Sequence, residues 1–94
     1  MHGVIAQVRI DTSREDEARR LLQEVVVPLA KSLDGFSGGT WLRALEGDAG
    51  RSVLLFDSEA AARAAVERMR SEGPPPGVPV TFEGVDAYEV LARA

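Results

Sequence analysis

Gly35-Phe36-Ser37-Gly38-Gly39-Thr40-Trp41-Leu42 joins a long apolar-striped segment to an extended one and carries the only Trp of the chain. Gly35 follows a helical run and suits the φ > 0 of a C-terminal cap, because no Cβ opposes that conformation. Gly38 and Gly39 permit a bulge or a close backbone approach just before Trp41. The stretch reads as a corner where a helix ends and a strand begins.

Upstream of the corner, Thr12 followed by Glu15 makes a capping box, with Ser13 and Asp16 as the alternative one residue on. Ala18, Leu21, Leu22, Val25, Leu29 and Leu33 recur at spacings of three and four, which is one apolar stripe of a helix. Arg19, Arg20, Gln23 and Glu24 face away, with Glu15–Arg19 and Asp16–Arg20 at i,i+4. Pro28 lacks an N–H and crowds the carbonyl of Glu24, so a kink is expected between Glu24 and Pro28. Before this helix, Val4, Ala6, Val8 and Ile10 alternate with Ile5, Gln7 and Arg9, the period-two pattern of a strand whose first set faces a core. His2, the single His, is expected to be a disordered or solvated terminal side chain.

Downstream, Thr40 to Glu46 reads as a second strand, Gly47-Asp48-Ala49-Gly50 as a turn, and Arg51 to Asp57 as a third strand. Its Ser52-Val53-Leu54-Leu55-Phe56 is almost continuously apolar, the mark of a central strand covered on both faces. Ser58 or Asp57 caps a second helix, whose stripe Ala62, Ala65, Val66 and Met69 is small enough for close approach to a sheet. Gly73 suits its C-terminal cap and Pro74 prevents continuation. Val78 to Phe82 and Val85 to Leu91 are extended, with Pro79 at the strand entrance and Gly84 at a bulge between them.

The order strand, helix, strand, strand, helix, strand predicts an α+β, ferredoxin-like β-α-β-β-α-β fold, a four-stranded antiparallel sheet with both helices on one face. Right-handed crossovers put strands one and three in the centre. The helices shield one face only. Ile5, Leu54, Phe56 and either Trp41 or Leu42 are expected on the other, which is then too apolar for water. A second copy stacked there closes a dimeric α/β barrel around a shared or paired cavity.

Composition narrows the functional classes. The 94 residues are expected to form a single domain, 1–94, that buries roughly 65% of its unfolded surface. There is no Cys, hence no disulfide and no thiolate metal site, and with one His and scattered carboxylates no metal constellation emerges. A net charge of -4 supplies no basic field for nucleic acid. The longest apolar run, Val25 to Ala30, contains Pro28 and is too short for a bilayer. The N-terminal stretch has no basic region leading into an apolar core, so no signal peptide is expected and the cytoplasm is the expected location. Glycine-rich phosphate loops and a Ser-His-Asp set are likewise absent.

The long first helix with Pro28, the Gly35-Phe36 corner leading into Gly39-Thr40-Trp41-Leu42, the passage Ser52 to Ala61 and the closing Val85-Asp86-Ala87-Tyr88-Glu89-Val90 together resemble the dimeric α/β-barrel superfamily. The similarity covers nearly the whole chain. Nearest in style are small bacterial proteins grouped with the antibiotic biosynthesis monooxygenases, which fits a composition with Lys31 as the only Lys and abundant Ala, Gly and Val. The resemblance implies a homodimer, an apolar cavity for a small aromatic or polyketide-like molecule, and a cofactor-independent monooxygenase as one activity. Haem-degrading relatives use a helix-borne His, which His2 does not supply. The candidate ligand-binding residues are Gln7 and Arg9 on one strand side, Trp41 and Arg43 on one side of the next strand, Phe56, and Tyr88 as a hydrogen-bond donor. No residue set defines a catalytic centre, and Asp57 reads as a helix cap rather than a base. The competing expectation is a module without activity whose apolar face serves only to dimerise.

Overall fold

The computed structural model describes residues 1–94. β1 (His2–Ile10) and β3 (Ala49–Phe56) form the centre of a four-stranded antiparallel sheet, with β2 (Phe36–Arg43) outside β3 and β4 (Val80–Glu89) outside β1. This is the β-α-β-β-α-β arrangement with both helical layers on one face. Between β1 and β2 lie a 3-10 turn (Thr12–Arg14), α1 (Glu15–Leu21), a π turn (Leu22–Val26) and α2 (Val27–Lys31). α3 (Glu59–Glu72) connects β3 to β4.

α2 ends at Lys31 with Ser32 as its C-cap, so Gly35 is not the expected helix cap; it lies in the turn in which the Phe36 N–H bonds the Leu33 carbonyl. Gly35 takes φ 74°, and its carbonyl accepts a hydrogen bond of 2.9 Å from the Asp57 N–H. A Cβ at Gly35 would lie 2.5 Å from Asp57 Oδ1 and 2.8 Å from Ala61 Cβ, so the turn beyond α2 sits directly on the start of α3. The pairing of β2 with β3 gains one residue between Phe36 and Gly38, the bulge expected of these glycines. β4 has a matching irregularity where Gln7 opposes Gly84 and Val8 opposes Phe82. β2 begins four residues earlier than the alternation suggested, because Phe36 pairs with Phe56 and the ring of one meets the other edge-on at 6.0 Å.

The core lies between the sheet and α3. Val4 and Phe56 are fully buried, Leu54 is 2% exposed, and Ala62, Ala65, Val66 and Val85 complete the cluster. Ser58 Oγ caps α3 by accepting from the Ala61 N–H at 3.1 Å, and Gly73 ends it with φ 59°. The small side chains Ala62 and Ala65 let α3 reach β1, β3 and β4 directly.

Three further expectations are corrected. Leu54 and Phe56 face the helices, not the open side: the register places Leu54 beside Val4 and Phe56 beside His2, and that strand face is the one covered by α3. The helix-free face instead carries Ile5, Val53 and Leu55, each partly buried, with Leu42 and Tyr88 exposed. The first helical layer is capped by Asp11 rather than Thr12, since Asp11 Oδ1 accepts from the Ser13 N–H at 3.1 Å and from Ser13 Oγ at 2.6 Å. His2 belongs to β1, with Nε2 3.8 Å from Glu59 Oε1, so it is an ordered side chain. The irregularity expected near Pro28 is real and takes the form of the π turn: the Val27 N–H bonds the Leu22 carbonyl, so the i→i−4 ladder is already displaced before the residue that has no N–H.

Candidate functional site

The two helical layers meet the sheet differently. α3 packs on three strands, whereas the first layer touches the sheet chiefly where α2 meets β2, and Ala30 is its only buried residue. The apolar stripe of the first layer therefore does not close: Val25 is 51% and Leu29 47% exposed. Between that layer and the sheet lies a cavity of about 700 Å³. Its sheet wall is Ala6, Val8, Trp41, Ser52, Leu54 and Phe82; the facing wall is Leu21, Leu22, Val25 and Val26; Ala65 and Met69 of α3 close one side. Its volume lies within the range of small-molecule sites.

Trp41 is placed here by its strand. It opposes Ser52, which in turn opposes Ala6, so all three point toward the helices. Gly39 makes room for the indole: a Cβ there would be 2.9 Å from Leu54 Cδ2 and 3.0 Å from the Trp41 ring. The partly buried Trp41 ring thus packs against the core on one side and borders the cavity on the other. Its N–H, the Ser52 hydroxyl and Gln23 on the π turn are polar groups in an otherwise largely hydrocarbon lining.

Charged residues gather at the rim. Glu15 Oε1 accepts from Arg19 at 3.1 Å and also from Arg43, so a single carboxylate bridges the first turn of α1 and the end of β2. Arg68 pairs with Glu72 at 3.1 Å across one turn of α3. Arg51 opposes Gln7 and Leu42 and so points to the helix-free face. The carboxyl groups held below the ordinary range lie elsewhere: Asp11, because Ser13 donates to it, and Glu59, because Arg63 does.

Of the residues nominated from sequence, Trp41 and Arg43 line the cavity, and Phe56 lies in the core beside it rather than on its wall. Gln7, Arg9 and Tyr88 stand on the opposite face of the sheet. Gln7 is exposed opposite Gly84, and Arg9 pairs with Glu83 at 3.0 Å. Tyr88, 45% exposed, borders a separate 150 Å³ hollow with His2, Glu59 and Arg63. The cavity is therefore a property of one chain, between helix and sheet, and not of the helix-free face. Leu22, Ser52 and Met69 read from sequence only as core or strand residues, and Val26 lies off the predicted stripe. An apolar stripe looks the same whether it faces protein or a cavity, so periodicity carried no signal for them.

The chain has the ferredoxin-like fold of the antibiotic biosynthesis monooxygenase-like proteins. The chain is similar to the heme-degrader MhuD of Mycobacterium tuberculosis, solved with two hemes bound in its active site (TM-score 0.76, 16% identity, covering 100% of this chain and 99% of that one). It is also similar to a Deinococcus radiodurans protein assigned to the antibiotic biosynthesis monooxygenases (0.65, 14%, 100% and 96%). A third likeness is to the ActVA-Orf6 monooxygenase of Streptomyces coelicolor, solved with nanaomycin D (0.61, 16%, 99% and 89%). No protein-family model and no curated protein sequence matches the chain. Among its helices none is long and apolar enough to cross a membrane, and no group of three or more His, Asp or Glu is placed to hold a metal ion.

Proposed function

We propose that this protein binds a flat, largely apolar small molecule, aromatic or polyketide-like, between its first helical layer and its sheet. The observation that carries this reading is the 700 Å³ cavity with Trp41 on its wall. The apolar stripe of the first layer would otherwise collapse onto the sheet, as α3 does, to remove its hydrocarbon from water. Solved proteins of the same fold carry hemes or nanaomycin D, which supports a ligand of polycyclic size.

Haem itself does not suit this lining. Haem iron takes an imidazole, thiolate or phenolate, or a thioether partnered by an imidazole. The cavity offers only the thioether of Met69, and His2 lies outside it against Glu59.

A cofactor-independent monooxygenase is the catalytic form of the same reading. An electron-rich phenol or enol ionised in the cavity would pass its electrons to O₂. One oxygen atom would enter the substrate as a carbonyl at a carbon that loses its C–H hydrogen, the phenol or enol oxygen would become a second carbonyl on losing its proton, and the other oxygen atom would leave with these two hydrogens as water, so no external reductant is required. Trp41 N–H, Ser52 and Arg43 are the donors available to an ionised oxygen there. The chain acts as a homodimer in this proposal. Ile5, Val53, Leu55, Leu42 and Tyr88 leave an apolar helix-free face that a second copy covers, and the cytoplasm is its place of action.

The test is a titration of Trp41 emission and thermal stability with neutral hydroquinones and flavonoid-like compounds, repeated with Val26→Phe, which narrows the cavity. Binding that the variant weakens supports the site, and the absence of any response in the wild-type protein defeats it. Oxygen uptake matched one-to-one by product supports the catalytic form. Binding without uptake leaves the non-catalytic module.

A further inference from the structure

The charge of the cavity rim opposes that of the protein. Three arginines with side chains on the helix side, Arg19, Arg43 and Arg68, border the cavity against two glutamates, Glu15 and Glu72, a surplus of one positive charge in a chain of net charge -4. The surplus is local. Arg68 and Glu72 neutralise each other at 3.1 Å, but Glu15 alone serves both Arg19 and Arg43 through one oxygen.

The geometry points to an anion-recognising end of the cavity at Arg43, and so to a ligand that is an aromatic acid. This deepens the proposed function and rests on it. Arg43 follows Trp41 by two residues on the same side of β2, a separation of about 7 Å along a strand. A ring system lying on Trp41 thus brings a carboxylate, sulfonate or ionised phenol within reach of the Arg43 guanidinium. Two guanidinium groups on one carboxylate oxygen leave further N–H donors, and a guanidinium fork matches an oxyanion in two places. Glu15 is the built-in competitor: its carboxylate occupies Arg43 until the ligand's own anion shares it.

Two fluorescent probes separate this inference from the reading beneath it. Anilinonaphthalene sulfonate and phenylnaphthylamine share a ring skeleton and differ by the sulfonate. The ratio of their affinities is measured in the wild-type protein, in Arg43→Gln, Arg43→Lys and Glu15→Gln, each first verified as folded by thermal melting. The expected result is a fall of about fivefold in preference for the sulfonate in R43Q, partial recovery in R43K, and a rise in E15Q, with the neutral probe held within a factor of about two throughout. A ratio unchanged in both R43Q and E15Q overturns the anion site while leaving the cavity as a binding site. Failure of both probes to bind the wild-type protein overturns the cavity reading and this inference with it.

Discussion

Replacing Gly35 with Ala should be among the most damaging single-atom additions this chain can receive. At φ 74° an L-residue loses about 1–2 kcal/mol to left-handed backbone strain. The new methyl would also lie 2.5 Å from Asp57 Oδ1 and 2.8 Å from Ala61 Cβ. The Asp57 carboxylate can rotate, but Ala61 Cβ cannot withdraw, since it is fixed to the first turn of the helix that closes the core. Overpacking of this kind adds about 1–3 kcal/mol, for a total of roughly 2–5 kcal/mol. Gly77→Ala is the control: its φ is 82°, yet nothing lies within 4 Å of the added carbon, so only the strain of about 1–2 kcal/mol applies. Urea unfolding followed by Trp41 emission, at one protein concentration for both variants, should separate them by at least about 1 kcal/mol. Equal midpoints for the two variants would refute the claim that the helix–helix corner is closed by contact.

Three further outcomes follow from the same packing. Phe56→Ala, at a fully buried core position, should lower stability by about 3–5 kcal/mol, whereas Leu22→Ala on the partly buried cavity wall should cost no more than about 1 kcal/mol; paired urea titrations compare them. Gly39→Ala should push the indole of Trp41 into the cavity, shifting its emission maximum at a stability cost of about 1 kcal/mol, since the displaced ring has space to enter. Asp11 and Glu59 are held below the ordinary carboxylate range by Ser13 and Arg63 respectively. Their contribution to stability is therefore fully present above the unfolded-state value and is lost as pH falls through the lower folded-state value. Asp11→Asn combined with Glu59→Gln should flatten the decline in urea midpoint between about pH 5 and about pH 2.

Much of the fold was legible in particular residues. Ser58 and Gly73 mark helix ends by local chemistry alone, whereas Gly35 marks the turn beyond α2; the alternation of Val4 and Ala6 against Ile5 and Gln7 determines both the first strand and its buried face. Leu54 and Phe56 were misassigned because β3 is apolar on both sides. A period of two then gives no phase, and only the pairing of Leu54 with Val4 decides which residues turn inward. Trp41 and Arg43 border the cavity between helix and sheet instead of a cavity on the helix-free face. Their shared face was readable from spacing, but whether that face met helices or a second chain depended on long-range register. The cavity left no trace in the sequence, because the stripe from Ala18 to Leu29 would serve equally well to fill the space it borders.

The first helical layer contributes one buried residue and α3 three, with the sheet supplying the remainder of the core. Folding energy and pocket shape thus reside in different parts of the polypeptide. Leu21, Leu22, Val25 and Val26 can be exchanged for larger, smaller or polar groups with little penalty to the folded state, and the π turn supplies an already irregular segment in which such exchanges need not preserve an ideal ladder. A chain organised this way can acquire new ligands by drift along one helix while its scaffold stays still.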